Sequence, residues 1–353
     1  MSKRTLLEES IKFVKIRKDV ASFFIDLILA MCCKCHVYHH RLACGLNTNT
    51  KKESRVRRIQ RFFAKTIISK EVIAKIIMSL LKIEGKCDLI MDRTNWKFGK
   101  NNINYLVLAV RVAHQTAIPL FWSMIPHSGC SDAKARQELL EAFKNIFGFE
   151  KIGSFTADRE FVGKEWLDYL CHNAIPFFIR TKDNRLIEWA QAPLKKRKLK
   201  DFFMDLDDDQ ERYLYKIIHQ HSLQIAGKKT KEGMVVVISN TQDLKEILNT
   251  YKHRWSIETM FKNLKTKGFN IEDSHMVCPQ RYHKLLGICA ISLAVAFSFG
   301  KRLSVPFKKT VNAPLMSILT RGIRHVQECF LDLKLSIASD IKLLYHNILK
   351  SVV

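Results

Sequence analysis

The chain has 353 residues, 47% of them hydrophobic and five of them tryptophan, so it is long enough to bury a large core in more than one domain or subdomain and too apolar to be a disordered basic tail. Lys and Arg number 59 against 34 Asp and Glu, a formal charge of +25 that points to a polyanion, DNA or RNA ahead of an anionic membrane, without naming an activity. The ten cysteines are scattered, and the stretch MSKRTLLEES at 1–10 lacks the apolar segment and cleavage site of a secretory signal, so a reducing cytoplasm is expected.

Residues 1–70 are predicted helical, with apolar positions at three- and four-residue spacing through Phe13, Val14, Ile16, Val20, Phe23, Phe24, Leu27 and Ile28. Cys32, Cys33, Cys35, His36, His39, His40 and Cys44 follow. Cys32 and Cys35 have metal-ligand spacing, but a second pair at zinc-finger distance is missing, and cysteines after a strongly apolar helix read as small core residues. In KKESRVRRIQRFF (51–63), Arg55, Arg57, Arg58 and Arg61 form a candidate DNA-contacting segment, with a solvated basic helix face as the plain alternative.

From residue 87 the pattern becomes strand-like. CDLIMDRTNWKFG, NINYLVLAVRVA and AIPLFWSMIP are successive runs rich in aliphatic and aromatic residues, broken by turns near Gly99–Asn102 and His114–Gln115, and predict an antiparallel meander. Residues 132–147 then read as helix, 151–159 as strand, 163–172 as helix and 176–182 as strand. Residues 183–242 are β-rich in YLYKIIHQHSLQIAG and GMVVVISN. They also hold a basic run, Lys195–Lys198 with Lys200, that suits either DNA or a solvated loop. Asp205, Asp207, Asp208, Asp209 and Glu211 resemble a calcium loop, but Gln210 stands where its turn glycine belongs, so a solvated acidic loop is expected.

Residues 243–267 are predicted as one helix, capped by Thr241 or Asp243 and stopped at Gly268. At about 100° per residue, Tyr251, Arg254, Glu258, Lys262 and Lys265 fall in a sector of roughly 80°, and Ile257, Met260, Phe261 and Leu264 form a second, apolar stripe. Such a helix presents a carboxylate flanked by cations and a tyrosine; an ordinary surface pair of Arg254 and Glu258 fits the same spacing. The apolar run LLGICAISLAVAFSF at 285–299 is shorter than the roughly 20 residues a membrane span needs and reads as a buried helix. Beyond Gly300 the patterning is helical again, through Leu331, Leu333, Leu335, Ile337, Ile341, Leu343 and Leu344.

Two further carboxylates stand out. Asp158 closes a strand-like run, where a turn residue is also ordinary. Asp92 interrupts a run that continues to Trp96 and Phe98, and a carboxylate inside a strand needs a partner or a metal.

These three segments together resemble a known family. YKHRWSIETMFKNLK matches the YREK signature of the DDE transposases of bacterial insertion sequences, MDRTNWKFG resembles their first acidic motif, and ADREFVGKEWLDYL resembles their second. The resemblance runs over about 87–300, and the β-rich stretch between Asp158 and Glu258 lies where the family carries a β insertion. It implies an α/β fold: an RNase H-like catalytic core with a mixed five-stranded sheet and flanking helices, a β-rich insertion before the last catalytic helix, and a helical N-terminal region. The expected division is a DNA-binding region at 1–80, a catalytic domain at 81–182 and 243–300, the insertion at 183–242 and a helical C-terminal region at 301–353.

The resemblance further implies cut-and-paste transposition with Asp92, Asp158 and Glu258 as ligands of Mg²⁺, for which Mn²⁺ can substitute. Water frees a 3′-hydroxyl at the element's end, and that hydroxyl attacks target DNA. Arg254, Lys265 and Lys262 would neutralise phosphates and Tyr251 would contact the backbone. Trp96 would stack on an unpaired base, a core role being its alternative, and Glu160 reads as structural. The expected partners are duplex DNA, as element ends and target, and a second copy in a homodimer on DNA; no membrane or nucleotide cofactor is expected, and a nucleoid-associated cytoplasmic location is. An RNase H-like nuclease that cuts without joining, or an inactive basic DNA-binding protein, are the alternatives.

Overall fold

The computed structural model describes residues 18–46, 49–126, 129, 131–189, 192–266, 268–304, 307–308, 310 and 313–331. The helical patterns expected over 1–17 and from 332 onward lie outside them. The chain divides into two compact units, Met1–Ile83 with Lys262–Val353, and Glu84–Phe261.

The first unit is helical. α1 (Lys18–Lys34) buries Phe23, Phe24, Leu27 and Ile28, the residues whose spacing marked it. After the short α2 (His39–Ala43), α3 (Lys52–Lys65) turns Val56, Ile59, Phe62 and Phe63 inward, and the Phe62 ring lies 5.6 and 5.9 Å from those of Phe23 and Phe24. α4 (Lys70–Leu81) is capped by the Ser69 hydroxyl, which accepts from the Val72 N–H. The Cys32 thiol is fully buried, and Cys35 donates back to the Cys32 carbonyl at 3.3 Å. Burial pushes the Cys33 thiol up to about 12. Cys32 is a core thiol, as the sequence suggested, while Cys33 and Cys35 are half-buried.

The second unit is α/β. β1 (Cys87–Phe98), β2 (Asn101–Ala113) and β3 (Thr116–Met124) form the meander, and Gly99, at φ +56°, takes the left-handed position of the two-residue turn between β1 and β2. α5 (Ala133–Phe147) is capped by Asp132, which accepts from the Ala135 N–H at 2.7 Å. β4 (Ile152–Ala157), α6 (Lys164–His172) and β5 (Phe177–Thr181) follow; β1, β4 and β5 run parallel. β6 (Leu186–Trp189) and β7 (Ala192–Lys198) make a separate two-stranded ribbon, and β8 (Glu211–Ile218), β9 (His221–Thr230) and β10 (Gly233–Ser239) are consecutive antiparallel strands.

The main sheet has eight strands in the order β3-β2-β1-β4-β5-β10-β9-β8. Its first five are the expected set, and an α/β body with a large mixed sheet and flanking helices fits an RNase H-like fold. The expectation of a five-stranded sheet needs correcting, because the inserted strands continue the same sheet through antiparallel pairing of β10 with β5. The reason is the edge that β5 would otherwise leave: Phe178 and Ile179 are buried on it, as are Val236, Val237 and Ile238 opposite, and an apolar edge with unpaired N–H and C=O groups is costly. The acidic loop is held by bases, Arg212 pairing with Asp205 at 2.7 Å and Lys228 with Asp209 at 3.3 Å.

The helix expected over 243–267 is two helices. α7 (Leu244–Lys252), capped by Asp243, packs Ile247 and Leu248 on Phe178, Ala226 and Val237; α8 (Trp255–Leu264) follows a tight turn. The break is marked by a run of i→i+3 bonds: His253 N–H to Thr250, Arg254 to Tyr251, Ser256 to His253 and Ile257 to Arg254.

α8 runs from the second unit into the first, whose remaining elements are α9 (Pro279–Arg302), a minimal ribbon of β11 (Phe307–Lys308) and β12 (Ala313–Pro314), and α10 (Ile318–Leu331). α9 packs against α1, α4 and α10 because its apolar surface extends around the helix, from Leu285 to Phe299. With 24 residues α9 is long and apolar enough to cross a membrane, yet its apolar window is 89% buried inside the protein. Lys284, 7% exposed, donates to the carbonyls of Phe63 and Thr66 and so closes the C-terminal end of α3.

Candidate active site

Strand register brings the two aspartates together. β1 and β4 are parallel with Met91 opposite Ala157, so Asp92 and Asp158, the next residue on each, lie side by side on adjacent strands, a spacing of about 4.8 Å between chains. β5 continues the row: Ile179 pairs with Ala157, which sets Arg180 level with Asp158 on its other side.

The turn between α7 and α8 supplies the rest. Arg254 Nη2 donates to Glu258 Oε1 at 2.6 Å and Nη1 lies 3.4 Å from Asp92 Oδ2; its side chain is only 11% exposed. Tyr251 donates its hydroxyl to Asp158 Oδ1 at 3.4 Å, and the Arg254 guanidinium stands 5.9 Å from the Tyr251 ring centroid. Tyr251, Arg254 and Glu258 therefore face the two aspartates even though the helix carrying them is broken, with Arg254 at the break. The Arg254–Glu258 pair is therefore a partly buried one, with Glu258 29% exposed.

Burial pushes the Asp92 carboxyl up to about 6, with Asp158 and Glu160 adding to it, while the Arg93 N–H (2.8 Å) and Arg254 hold it back. Burial, with Asp158, also pushes Tyr251 up to about 12, so at neutral pH it remains a donor. Burial pulls Arg254 down, but Tyr251, Asp158 and Asp92 outweigh it and the guanidinium is held above its ordinary value.

Glu160 is committed elsewhere. Arg93 grips it with two hydrogen bonds of 2.7 and 2.8 Å and reaches Gly129 O at 3.0 Å, while Arg136 lies over the Phe161 ring at 4.8 Å. This agrees with its structural reading.

The donors suit a hard divalent cation: Asp92 is a buried carboxylate with incomplete charge compensation, next to a second carboxylate. Glu258 is engaged by Arg254, and among the described residues no three acidic, His or Cys side chains are close enough to hold a metal ion as they stand. Asp92 and Asp158 thus stand as a pair, and the third expected carboxylate, Glu258, is held by the guanidinium that also lies against Asp92.

The other expected contacts sort differently. Trp96 stacks on Tyr105 with centroids 6.2 Å apart and is half-buried, which favours its packing role. Lys262 is exposed on α8, and Lys265, just past its end, pairs with Glu272 at 3.2 Å. Of the four arginines on α3, Arg55 is a structural clamp that donates to Thr50, Ala43 and Leu46 carbonyls, and Arg58 sits 4.3 Å above the Phe23 ring. Arg57 and Arg61 are exposed. Arg180 was missed by sequence reasoning; its signal was a charge at the end of the apolar strand PFFIRTK.

Residues 83–295, more than half of the chain, match the family model for the transposase DDE domain. The chain belongs to the DDE transposase family. A transposase enzyme is thereby supported, of a family that typically uses divalent metal ions. Among solved structures, an endonuclease V from Bacillus subtilis is similar at 12% identity over 59% of this transposase and 84% of that chain, with a TM-score of 0.28. No curated protein matches the chain.

Proposed function

We propose that this DDE transposase binds the ends of an insertion sequence, cleaves DNA there and transfers the freed 3′-hydroxyl ends to target DNA, as a member of the group with the YREK signature. The observation carrying the proposal is the parallel register of β1 and β4, which sets Asp92 beside Asp158, with Arg254 linking Asp92 to Glu258. Asp92, Asp158 and Glu258 would hold Mg²⁺, or Mn²⁺ in its place; bound there, the ion supplies activation of the attacking oxygen and neutralises the leaving one.

The chain's own groups do the rest. Burial raises the electrostatic cost of an ionised Asp92, a cost that a bound cation would offset. Arg254 is pre-placed between carboxylates and has donors to offer a phosphate oxygen in exchange for Glu258. Tyr251, protonated at neutral pH, donates to Asp158 and can donate equally to the backbone of a bound strand. Arg180, level with Asp158 and half-buried, adds a second cation beside the reacting phosphate. Lys262 and Lys265 would extend the cationic surface along α8 and its end.

The partners on this reading are duplex DNA, as ends and as target, and a second copy of the chain in a homodimer that brings two ends together, with no nucleotide cofactor. A nucleoid-associated cytoplasmic location follows from the DNA partner. The test is a joining assay with labelled element ends, a target plasmid and Mg²⁺. Strand-transfer products are expected. Cutting without joining would leave a nuclease, and binding without cutting an inactive DNA-binding protein.

A further inference from the structure

Asp92 stays inside the sheet, paired with Val107 of β2, but Asp158 lies one residue past the end of β4. Pairing of β4 with β1 ends at Ala157 opposite Met91, and pairing with β5 ends at Ala157 opposite Ile179. Two ions about 4 Å apart need their ligands held to within about 0.5 Å, which the ladder alone does not secure at Asp158. We infer that Arg93 and Glu160 are positioning residues that fix the separation of Asp92 and Asp158 and so set how tightly the site holds a divalent cation. The inference rests on the reading of the two aspartates as metal ligands, and it adds the part of the fold that spaces them.

Arg93 directly follows Asp92. Glu160 sits in the 3₁₀ turn Arg159–Phe161, which begins at Asp158, whose carbonyl accepts from the Phe161 N–H at 3.0 Å. A tie between Arg93 and Glu160 is therefore a tie between the backbones that carry the aspartates. It is made by a guanidinium fork, Nε to Oε1 at 2.7 Å and Nη2 to Oε2 at 2.8 Å, with both side chains about four-fifths buried.

Both ends of the fork are held in turn. Arg93 Nη1 donates to Gly129 O at 3.0 Å and to Oδ1 of the buried Asn104 at 3.4 Å. Arg136 of α5 donates to the Glu160 carbonyl at 3.3 Å and to the Ser131 hydroxyl at 2.8 Å. Successive residues of a strand point to opposite faces, so Arg93 acts from the face opposite the one on which Asp92 meets Arg254. Desolvation offsets much of the attraction in an ion pair buried this far, so the fork does more to fix geometry than to stabilise the chain.

Charge and position predict different signs. By charge alone, Glu160→Gln removes an anion near the site and weakens cation binding, whereas Arg93→Gln removes a cation and strengthens it. If the fork spaces the aspartates, both variants weaken it. The test measures Mn²⁺ binding to the full chain by electron paramagnetic resonance for wild type, Arg93→Gln, Glu160→Gln, the double variant and Asp92→Asn, with circular dichroism to check folding. Loss of a supporting partner costs about 10- to 100-fold in metal affinity, so each single variant should bind Mn²⁺ at least about 10-fold more weakly. The double variant should bind no more weakly than the worse single one, because the same fork is broken only once. Should a variant fail to fold, Arg93→Lys, which keeps the charge and loses the fork, is expected to show the weakening. Unchanged affinity in both single variants, or tighter binding by Arg93→Gln, would overturn the inference; tighter binding would mean that Glu160 acts by its charge or joins the ion once released. Equal Mn²⁺ binding by wild type and Asp92→Asn would instead overturn the carboxylate reading on which the inference rests.

Discussion

Asp92→Asn should make the folded protein more stable at neutral pH while removing its chemistry. The Asp92 carboxyl is held at about 6 in the folded chain against an ordinary 3.8, chiefly by burial. Between those values the folded chain binds more protons than the unfolded one. The stability associated with the protonated carboxyl is therefore fully present below 3.8 and is lost as pH rises through 6. At about 1.4 kcal/mol per pH unit the penalty above pH 7 approaches 3 kcal/mol; allowing for the side chain's 20% exposure, about 2 kcal/mol is a fair expectation. Asparagine retains an oxygen for the Arg93 N–H. Thermal unfolding in EDTA at pH 8 should then show a rise of about 4–8 °C for Asp92→Asn, shrinking toward zero near pH 4. A gain of the same size at both pH values, or a loss at pH 8, would refute the reasoning.

Three further outcomes follow from particular contacts. Lys284→Met removes the charged donor to the Phe63 and Thr66 carbonyls in a nearly closed site and should cost about 3 kcal/mol in urea denaturation; a cost below about 0.5 kcal/mol would mean water replaces it freely. Gly268→Ala would bring a Cβ to 1.9 Å from the Asn263 carbonyl, the acceptor of the Phe269 N–H, so a loss of about 2 kcal/mol is expected in the same assay and a neutral result would show that the turn yields. Arg180→Gln should lower the salt slope of DNA binding by about 0.9, and an unchanged slope would remove Arg180 from the interface.

Much of the site was legible because its carriers violate ordinary patterning. A charge within an apolar strand marked Asp92, and the three acidic segments agreed in order and spacing. The register that puts Asp92 beside Asp158 was not legible, since it depends on which strand β1 takes as its parallel neighbour. Nor was the break at His253 and Arg254: YKHRWS contains no proline or glycine, and the turn is made by tertiary placement of Tyr251 and Arg254 on the aspartates. The inserted strands were recognised as β, but periodicity does not reveal that β10 completes the open edge of β5. The α3 arginines show the same limit: four looked equivalent, and only the packing of Phe23 and the carbonyls after α2 separates clamps from free cations. The length of α9 was underestimated because its polar first turn hides the start of a helix that its apolar run announces only from Leu285.

The central claim is tested most directly by a cleavage and joining assay on DNA carrying the element's own ends, in Mg²⁺, Mn²⁺ or Ca²⁺, comparing wild type with Glu258→Gln. Both proteins should bind the ends, wild type should cut and join in Mg²⁺ or Mn²⁺, and Glu258→Gln should do neither. Full activity of Glu258→Gln would contradict the account, because Glu258 would then be only the partner that fixes Arg254.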